Sequence, residues 1–248
     1  MYSRNGIRSV RHILDLCLAV LVVASPLATL QAHASAAPGV LSDVPPEGLM
    51  VLLPSRAVES VRSDLEAAER LEKASNSARE SAEEYLKVAK AQITVCTSEI
   101  DVLKDRVKLA KEQKNQTEQD SLERHIKAKD LQLKMLEARR DMREAEIGLA
   151  DAQRRTAETS GGTLKKELEL IERREMLVQI SASREVPPDP IALTKLQTEV
   201  RDIERQTIEA MKDLAQKQKD AAEREMDVLD KRLNVHEAQL AVLVGPKN

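Results

Sequence analysis

The chain has 248 residues, of which 33% are charged and 1% aromatic, and its formal net charge at pH 7 is -3. Large aromatic rings supply much of the core of globular domains, and this chain has two tyrosines with no Phe or Trp. Abundant Ala, Glu, Lys, Leu and Arg are instead typical of long helices and coiled coils. No basic face with stacking aromatics stands out, so nucleic acid is not expected as a partner.

The first 34 residues have the pattern of a cleavable signal peptide. Three arginines precede an apolar run at residues 16–23, and the small residues at 32–36 fit a cleavage site. A membrane anchor is the alternative, but Asp15 and Pro26 leave too short an apolar stretch to span about 30 Å of hydrocarbon. We therefore expect a periplasmic or secreted mature chain with no transmembrane segment after cleavage.

Residues 35–53 are predicted to be a proline-rich linker, because Pro-Gly and Pro-Pro steps in it oppose helix formation. The linker ends in a short apolar patch at residues 49–53. This patch either caps the end of a coiled coil or serves as a docking segment for a partner, and the sequence leaves both open. Pro54 fits the first turn of a helix that starts there.

A single heptad register runs from residue 58 to residue 159, so residues 54–159 are predicted to form one long coiled-coil helix. Apolar residues recur at heptad positions a and d, which form the seam of such a helix. The candidate interaction residues are the large or apolar seam residues Leu86, Ile93, Cys96, Ile100, Leu103, Val107, Leu131, Met135, Met142 and Leu149.

Polar residues, among them Lys114 and Thr117, interrupt this seam between residues 111 and 125. The preferred interpretation is a continuous helix, because no Gly or Pro interrupts the segment and the register is kept across it. The alternative is the turn of a helical hairpin, with Asn115 and Asp120 as capping residues.

Glycine and proline divide the rest of the chain. Gly161-Gly162 and the prolines near residue 188 predict, in order, a glycine turn, a second helix, a proline break, a third helix and a tail, at residues 160–163, 164–185, 186–190, 191–244 and 245–248. The third helix ends in an apolar stripe made of Ala222, Met226, Leu229, Leu233, His236, Leu240 and Leu243.

These elements predict an all-α fold without a β domain. Short connections favour a long antiparallel coiled-coil hairpin, in which one helix of about 100 residues folds against two shorter helices. An extended parallel dimer is the alternative. In that dimer two copies of Cys96 would face each other and form an interchain disulfide in an oxidising compartment.

The sequence suggests no catalytic, cofactor or metal site. It contains no His-x-x-x-His, Cys-x-x-Cys or Glu-x-x-His spacing, and Gly161-Gly162 does not follow a strand as a phosphate-binding loop does. We expect a non-enzymatic protein with no cofactor and no small-molecule substrate. Its expected partners are proteins that pack helices against it, including a second copy of itself.

Residues 136–153 read Leu-Glu-Ala-Arg-Arg-Asp-Met-Arg-Glu-Ala-Glu-Ile-Gly-Leu-Ala-Asp-Ala-Gln, and residues 86–92 and 233–240 are similar in kind. In these Leu-Glu-Ala and Ala-Glu-x-x-Leu-Ala steps the chain resembles the helices of TolC-like outer membrane efflux proteins. The resemblance implies long periplasmic α-helices and a part in a trimeric export tunnel. The barrel strands and interfacial aromatics of that family have no counterpart in this sequence.

The leading functional hypothesis is a structural spacer or interaction scaffold in the bacterial envelope. A periplasmic helical component of a TolC-like efflux or export assembly is the first alternative. The second is a periplasmic holdase-type chaperone that clasps unfolded clients between helical arms.

Overall fold

The computed structural model describes residues 53–182 and 189–245, and these residues form three helices with no strand among them. Helix α1 is Val58–Glu112, helix α2 is Gln116–Ala182 and helix α3 is Pro190–Val244. At 1.5 Å per residue their lengths are about 80, 100 and 80 Å. The predicted all-α fold is confirmed. The predicted signal peptide, most of the linker and most of the proline break lie outside the described residues.

Helix α2 lies between the other two helices. Both α1 and α3 pack along it, whereas no Cα atom of α1 comes within 8 Å of one in α3. Cys96 contacts the backbone of Lys129 across the first turn, and Leu177 clusters with Leu196 across the second, so both pairs of helices are antiparallel. The predicted antiparallel hairpin is therefore confirmed, with α2 as the helix that both neighbours share.

The chain turns between α1 and α2 without glycine or proline. Lys114 has a φ of 58°, in the left-handed region. The N–H of Lys114 donates to the Lys111 carbonyl at 3.1 Å and that of Asn115 to the Ala110 carbonyl at 3.0 Å, which is the Schellman motif. Asn115 Oδ1 then accepts the N–H of Glu118 at 3.3 Å and caps α2.

This turn differs from the continuous helix preferred for residues 54–159 and agrees with the hairpin alternative. Of its two expected caps, Asn115 caps α2, while Asp120 lies inside the helix. A Schellman motif needs one residue in the left-handed conformation, and glycine is only its commonest occupant. The absence of Gly and Pro therefore did not predict an uninterrupted helix.

The predicted glycine turn at residues 160–163 is helical and belongs to α2. Two glycines in a helix cost about 1 kcal/mol each relative to alanine. Packing offsets that cost, because the neighbouring Ala157, Thr163 and Leu164 are all buried. The described part of the predicted second helix, up to residue 182, is consequently the end of α2.

The starts of the outer helices are set by different local features. Helix α1 begins at Val58, four residues after Pro54, and the preceding Ala57 is extended with no side-chain cap. Helix α3 begins at Pro190, one residue before its predicted start, and it ends at Val244 as predicted. Asp189 accepts the N–H of Ile191 at 3.1 Å, so an aspartate cap and a first-turn proline define this start.

Helix α1 keeps the predicted heptad register. Its buried residues include seven of the predicted d positions: Val61, Ala68, Ser75, Ala82, Ala89, Cys96 and Ala110. On α2, the buried residues that cluster with α1 lie one position later in the heptad, at Leu122, Leu136, Leu164 and Ile171. The non-helical turn restarts the rotation of the chain, so the register of α1 does not carry over into α2.

A second buried stripe on α2 faces α3. It comprises Thr156, Thr163, Leu170 and Leu177, again seven residues apart. Thr156 Oγ1 donates to the Lys217 carbonyl at 3.1 Å, and the two leucines cluster with Leu196 and Val200. Helix α2 therefore buries two faces, and each outer helix needs only one.

The left-handed residue of the first turn gives a stability prediction. Lys114→Gly should raise the free energy of unfolding by about 0.5–1 kcal/mol, because glycine adopts this conformation without the steric cost paid by lysine. Thermal unfolding followed by circular dichroism measures the change. Lys111→Gly, three residues earlier and helical, should destabilise by about 1 kcal/mol. A destabilised Lys114→Gly variant would contradict the turn.

Candidate functional site

The ten candidate seam residues divide between the two sides of the first hairpin. On α1, Cys96, Ile100 and Val107 are buried, and Leu86, Ile93 and Leu103 are half-buried. On α2, Leu131, Met135, Met142 and Leu149 are half-buried. Cys96 and Ile100 cluster with Leu136, with Ile93 and Met135 packed against them. The structure thus uses six of the ten to hold the first hairpin together, namely Ile93, Cys96, Ile100, Leu103, Val107 and Met135.

A polar row runs along α2 between its two packed faces. Every seventh residue from 132 to 174 is polar: Gln132, Arg139, Glu146, Gln153, Ser160, Glu167 and Arg174. Three of them bind residues outside α2: Glu146 pairs with Arg232, Glu167 with Arg56, and Arg174 with Glu204. The row therefore makes polar contacts with two residues of α3 and with Arg56, which lies in the segment before α1.

At the middle of this row, one chain of contacts connects all three helices. The guanidinium of Arg143 lies 4.7 Å from the centroid of the Tyr85 ring on α1. Arg143 also pairs with Glu146 at 2.5 Å, and Glu146 pairs with Arg232 of α3 at 3.4 Å. A cation over an aromatic ring contributes about 0.5–1 kcal/mol at an exposed site.

The most buried ion pair joins α2 to α3 and to the segment before α1. Arg174 Nη2 lies 2.7 Å from Glu204 Oε1, and the two side chains are 12% and 4% exposed. The N–H of Leu53 donates to the same carboxylate at 2.8 Å, while the Leu53 carbonyl accepts from Arg174 at 2.9 Å. We call these three residues the clamp.

The clamp includes Leu53, which is also the last residue of the apolar patch at the end of the predicted linker. Leu53 is the one residue of that patch that the structure describes, and its side chain packs against Leu170, Leu177, Leu196 and Val200. For Leu53, this agrees with the capping interpretation of the patch. The remaining patch residues lie outside the described part of the chain.

Glu167, a member of the polar row, is the second buried carboxylate besides Glu204 among the described residues. Desolvation raises the pKa of its side chain above the ordinary 4.5, and the nearby Arg56 guanidinium opposes the shift. The carboxylate contacts Arg56 Nη1 at 3.3 Å. Because the folded pKa is raised, protonation favours the folded state. Glu167 therefore destabilises the fold above its folded pKa, and this penalty disappears as the pH falls to about 4.5.

Glu167→Gln should remove this pH dependence. Relative to the variant, the wild-type protein should gain stability as the pH is lowered from neutral towards 4.5, the window set by the raised pKa. Urea unfolding at several pH values measures the difference. Glu172→Gln, an exposed carboxylate on the same helix, is the matched control. A wild-type-minus-variant difference that stays constant through this window would contradict the assignment.

The apolar stripe predicted for the end of the third helix is present, but it faces solvent. In the same stretch, α3 buries Ala221, Val228 and Val235 against α2. The large exposed residues are Met226, Leu229, Leu233, Leu240, Leu243 and Val244, with exposed fractions from 49% to 80%. From Met226 to Leu243 these residues recur at alternating spacings of three and four residues, and His236 occupies the one position of this series that is not apolar. We call this series the leucine stripe.

An acidic row lies beside the leucine stripe, at Glu223, Asp227, Asp230 and Glu237. Glu223 lies 3.8 Å from Lys219. Within residues 53–182 and 189–245, no Lys, Arg or His lies within ion-pair distance of the other three carboxylates. The stripe is thus bordered on one side by carboxylates, three of which form no ion pair with the residues that the structure describes.

Helix α1 has an exposed apolar stripe of its own. Val88, Val95, Val102 and Leu109 recur every seventh residue and are 54–59% exposed. We call them the valine stripe. Val88 and Val95 also line a groove of about 500 Å³ between α1 and α2, with Met135 and Leu136 on the opposite side.

Packing within the described part of the protomer leaves the apolar side chains of both stripes exposed to solvent. Complete burial of one Leu, Val or Met side chain is favourable by about 1.5–3 kcal/mol. Covering the leucine stripe alone would therefore contribute several kcal/mol. Contiguous exposed apolar patches of this kind mark interaction sites on soluble proteins.

The described residues contain no group of three or more His, Cys, Asp and Glu side chains that could hold a metal ion. The Cys96 thiol is buried, and its Sγ lies 3.7 Å from the Lys129 carbonyl. Burial raises the pKa of this thiol. In this hairpin the seam residue Cys96 packs against α2, whereas in the parallel-dimer alternative it would face a second copy of Cys96.

Comparison with protein-family models, with curated proteins and with solved structures gives no match for the chain. The resemblance to TolC-like efflux proteins therefore stays a prediction. In the part of the chain that the structure describes, none of the helices is both long and apolar enough to cross a membrane.

Sequence reasoning named the leucine stripe but missed the valine stripe and the clamp. The valine stripe had a visible signal, a second seven-residue period two positions after the a positions of α1. The clamp had none. Arg174 and Glu204 each look like ordinary surface charges until the helices are paired.

Proposed function

We propose that this protein is a non-enzymatic, exported coiled-coil protein that acts as a structural spacer or interaction scaffold in the bacterial envelope. The observation that carries the proposal is the pair of exposed heptad stripes on α1 and α3. Each outer helix packs one face against α2 and presents a second apolar face to solvent. A helix with two apolar faces is suited to bind two partners at once.

The antiparallel helices also suit a spacer. Ion pairs between α1 and α2 recur along their length, at Arg79–Asp151, Lys90–Glu144 and Glu99–Lys129. Each exposed pair contributes little alone, about 0–1 kcal/mol. Side-by-side packing over about 80 Å resists bending better than a single helix does.

Export is the part of the proposal that depends on residues 1–34. We expect the protein to accumulate in the periplasmic or secreted fraction of a bacterial host, with an N-terminus near residue 35. Cell fractionation and mass spectrometry of the mature protein test this. Recovery of the protein from the cytoplasm with residues 1–34 still attached would contradict export, but it would not contradict the scaffold role.

Photo-crosslinking in cells tests the scaffold directly. A photoreactive residue at Leu233 or Val95 should crosslink to protein, while one at Arg205, whose side chain is 78% exposed on the N-terminal half of α3, should not. Stripe positions that crosslink no more than Arg205 would refute the scaffold. A catalytic activity lost on replacing one polar residue would refute the non-enzymatic assignment.

A holdase-type chaperone is the second candidate, and the exposed stripes with the groove beside Val88 favour it. It predicts that the protein suppresses aggregation of an unfolded client at stoichiometric concentration. Changing Val95 and Leu233 to serine should weaken the suppression. If the client aggregates as fast with the wild-type protein as without it, this candidate is excluded.

A further inference from the structure

We propose that the leucine stripe binds a basic amphipathic helix of another protein, and that the two helices pack as a coiled coil. This inference rests on the proposed scaffold function and adds the chemistry of the partner. The partner helix has apolar residues at heptad positions a and d, and it has Lys or Arg on the flank that meets the acidic row of α3.

The spacing of the leucine stripe selects a helix as its occupant. Its a positions are Met226, Leu233 and Leu240, and its d positions are Leu229, His236 and Leu243. Val228 and Val235, which are buried against α2, lie at position c of the same repeat, so the stripe is a second seam on α3. This seam is about 26 Å long at 1.5 Å per residue. Such a row of a and d residues accepts the a and d side chains of a facing helix.

The charges beside this seam select a basic partner. Position e is occupied by carboxylates in three successive heptads: Glu223, Asp230 and Glu237. Asp230 and Glu237 form no ion pair with the described residues. The opposite flank, position g, has no formal net charge and holds Glu225, Arg232 and Gln239. Because charges at e and g determine which helices pair in a coiled coil, Lys or Arg facing position e would neutralise the excess negative charge.

A lipid surface is a different occupant that an exposed apolar stripe can have. Amphipathic helices that lie on membranes have Lys or Arg on their polar face, where these side chains meet anionic headgroups. The leucine stripe has carboxylates along one border instead, and anionic headgroups would repel them. The charges therefore favour a protein helix over a membrane.

Pairing of two leucine stripes from two copies is disfavoured by the same charges. In antiparallel orientation, the carboxylates at position e of one copy would face those of the other. In parallel orientation Glu225 would face Asp230, and the attraction of Arg232 to Glu237 would only offset that repulsion. Either pairing would also bury two copies of His236 in one seam.

The valine stripe of a second copy has no excess of basic residues either. The carboxylates beside it outnumber the basic side chains: Glu84, Glu99, Asp101, Asp105 and Glu112 against Lys87, Arg106 and Lys108. Neither stripe of this chain therefore supplies a basic flank that matches the acidic row, and a helix from a different protein is the better occupant.

Two synthetic peptides of four heptads serve as probes. Both have Leu at positions a and d; one has Lys at positions e and g, and the other has Glu there. Fluorescence anisotropy of each labelled peptide, titrated with the purified protein, measures the dissociation constant. The Glu peptide should bind roughly 10- to 100-fold more weakly than the Lys peptide, because like charges would face each other along position e.

Two double variants separate the seam from a general attraction between opposite charges. Leu233→Ser with Leu240→Ser keeps every charge and should weaken binding of the Lys peptide about 100-fold, because two leucines lose their apolar contacts. Asp230→Lys with Glu237→Lys should reverse the preference, so that the Glu peptide binds more tightly than the Lys peptide.

Asp202→Lys with Glu209→Lys is the matched control for the charge reversal. These two exposed carboxylates occupy the same heptad position as Asp230 and Glu237, four heptads earlier on α3. The control changes the net charge by the same amount, and it should keep the preference for the Lys peptide. Circular dichroism checks that every variant is folded.

Four results would overturn the proposal. One is equal binding of the two peptides, and another is undiminished binding of the Lys peptide by Leu233→Ser with Leu240→Ser. The third is a wild-type dimer in sedimentation velocity that this variant dissociates, which would identify a second copy as the occupant. The fourth is binding to phosphatidylglycerol vesicles that the same variant loses, which would identify a membrane.

The crosslinking experiment in cells distinguishes this inference from the scaffold function. Mass spectrometry of the protein crosslinked to a photoreactive residue at Leu233 should identify a segment with apolar heptads and a flank of Lys or Arg. A crosslinked segment with acidic or uncharged flanks would refute the basic partner and leave the scaffold standing. No crosslink at Leu233 above the level at Arg205 would refute the scaffold function, and this inference with it.

Discussion

Replacing Glu204 by alanine is expected to lower the free energy of unfolding by about 3–5 kcal/mol, because it leaves a buried cation without its partner. Glu204 accepts hydrogen bonds from Arg174 at 2.7 Å and from the N–H of Leu53 at 2.8 Å. The Arg174 side chain is only 12% exposed and has no route to full hydration in the folded state. Urea unfolding followed by circular dichroism measures the loss.

A neighbouring ion pair between the same helices supplies the control. Arg173 and Glu199 are 3.5 Å apart with side chains about 40% exposed, so Glu199→Ala should cost less than about 1 kcal/mol. The double variant Arg174→Met with Glu204→Leu should recover most of the lost stability, since apolar pairs often replace buried ion pairs without penalty. Equal costs for Glu204→Ala and Glu199→Ala would contradict the buried clamp.

Leu177→Ala is the second substitution with a large expected effect, a loss of about 2–5 kcal/mol. Leu177 is 1% exposed and clusters with Leu170, Leu196 and Val200 at the interface of α2 and α3. Truncation removes apolar burial and leaves a cavity that helices held on both sides do not readily close. The same urea unfolding experiment measures the change.

Ile191→Ala is the matched control, because Ile191 is 79% exposed at the start of α3. Its effect should stay within about 0.5 kcal/mol. If Leu177→Ala also changed the free energy of unfolding by no more than this control, α3 would not pack against the end of α2.

The sequence predicted the packing of α1 because one helix facing one partner gives a simple period. The residues from Val61 to Ala110 that recur at d are small or apolar, and among the three described helices only α2 packs against α1. The same rule failed on α2, where two stripes at Leu164 and Leu170 serve two neighbours. A helix with two packed faces has no single period to read.

The turns were misplaced for local reasons. Gly161 and Gly162 have a strong intrinsic preference against helix, but tertiary packing outweighed it. Lys114 has no such preference, and the fold places it in a conformation that lysine seldom adopts. The Asn115-x-x-Glu118 spacing was a readable capping signal, and it supported the alternative that the structure adopts.

The lack of contact between α1 and α3 has a consequence for how the fold opens. Among the three helices, each outer helix contacts only α2. Separating α3 therefore breaks the α2–α3 interface and the contacts of Leu53 with α3, and it leaves the α1–α2 hairpin intact. The helices therefore resemble a linear array in which each layer has its own local stability. Amide hydrogen exchange should be slowest in the part of α2 that both neighbours cover. The amides of α3 should exchange together as one cooperative unit, ahead of global unfolding.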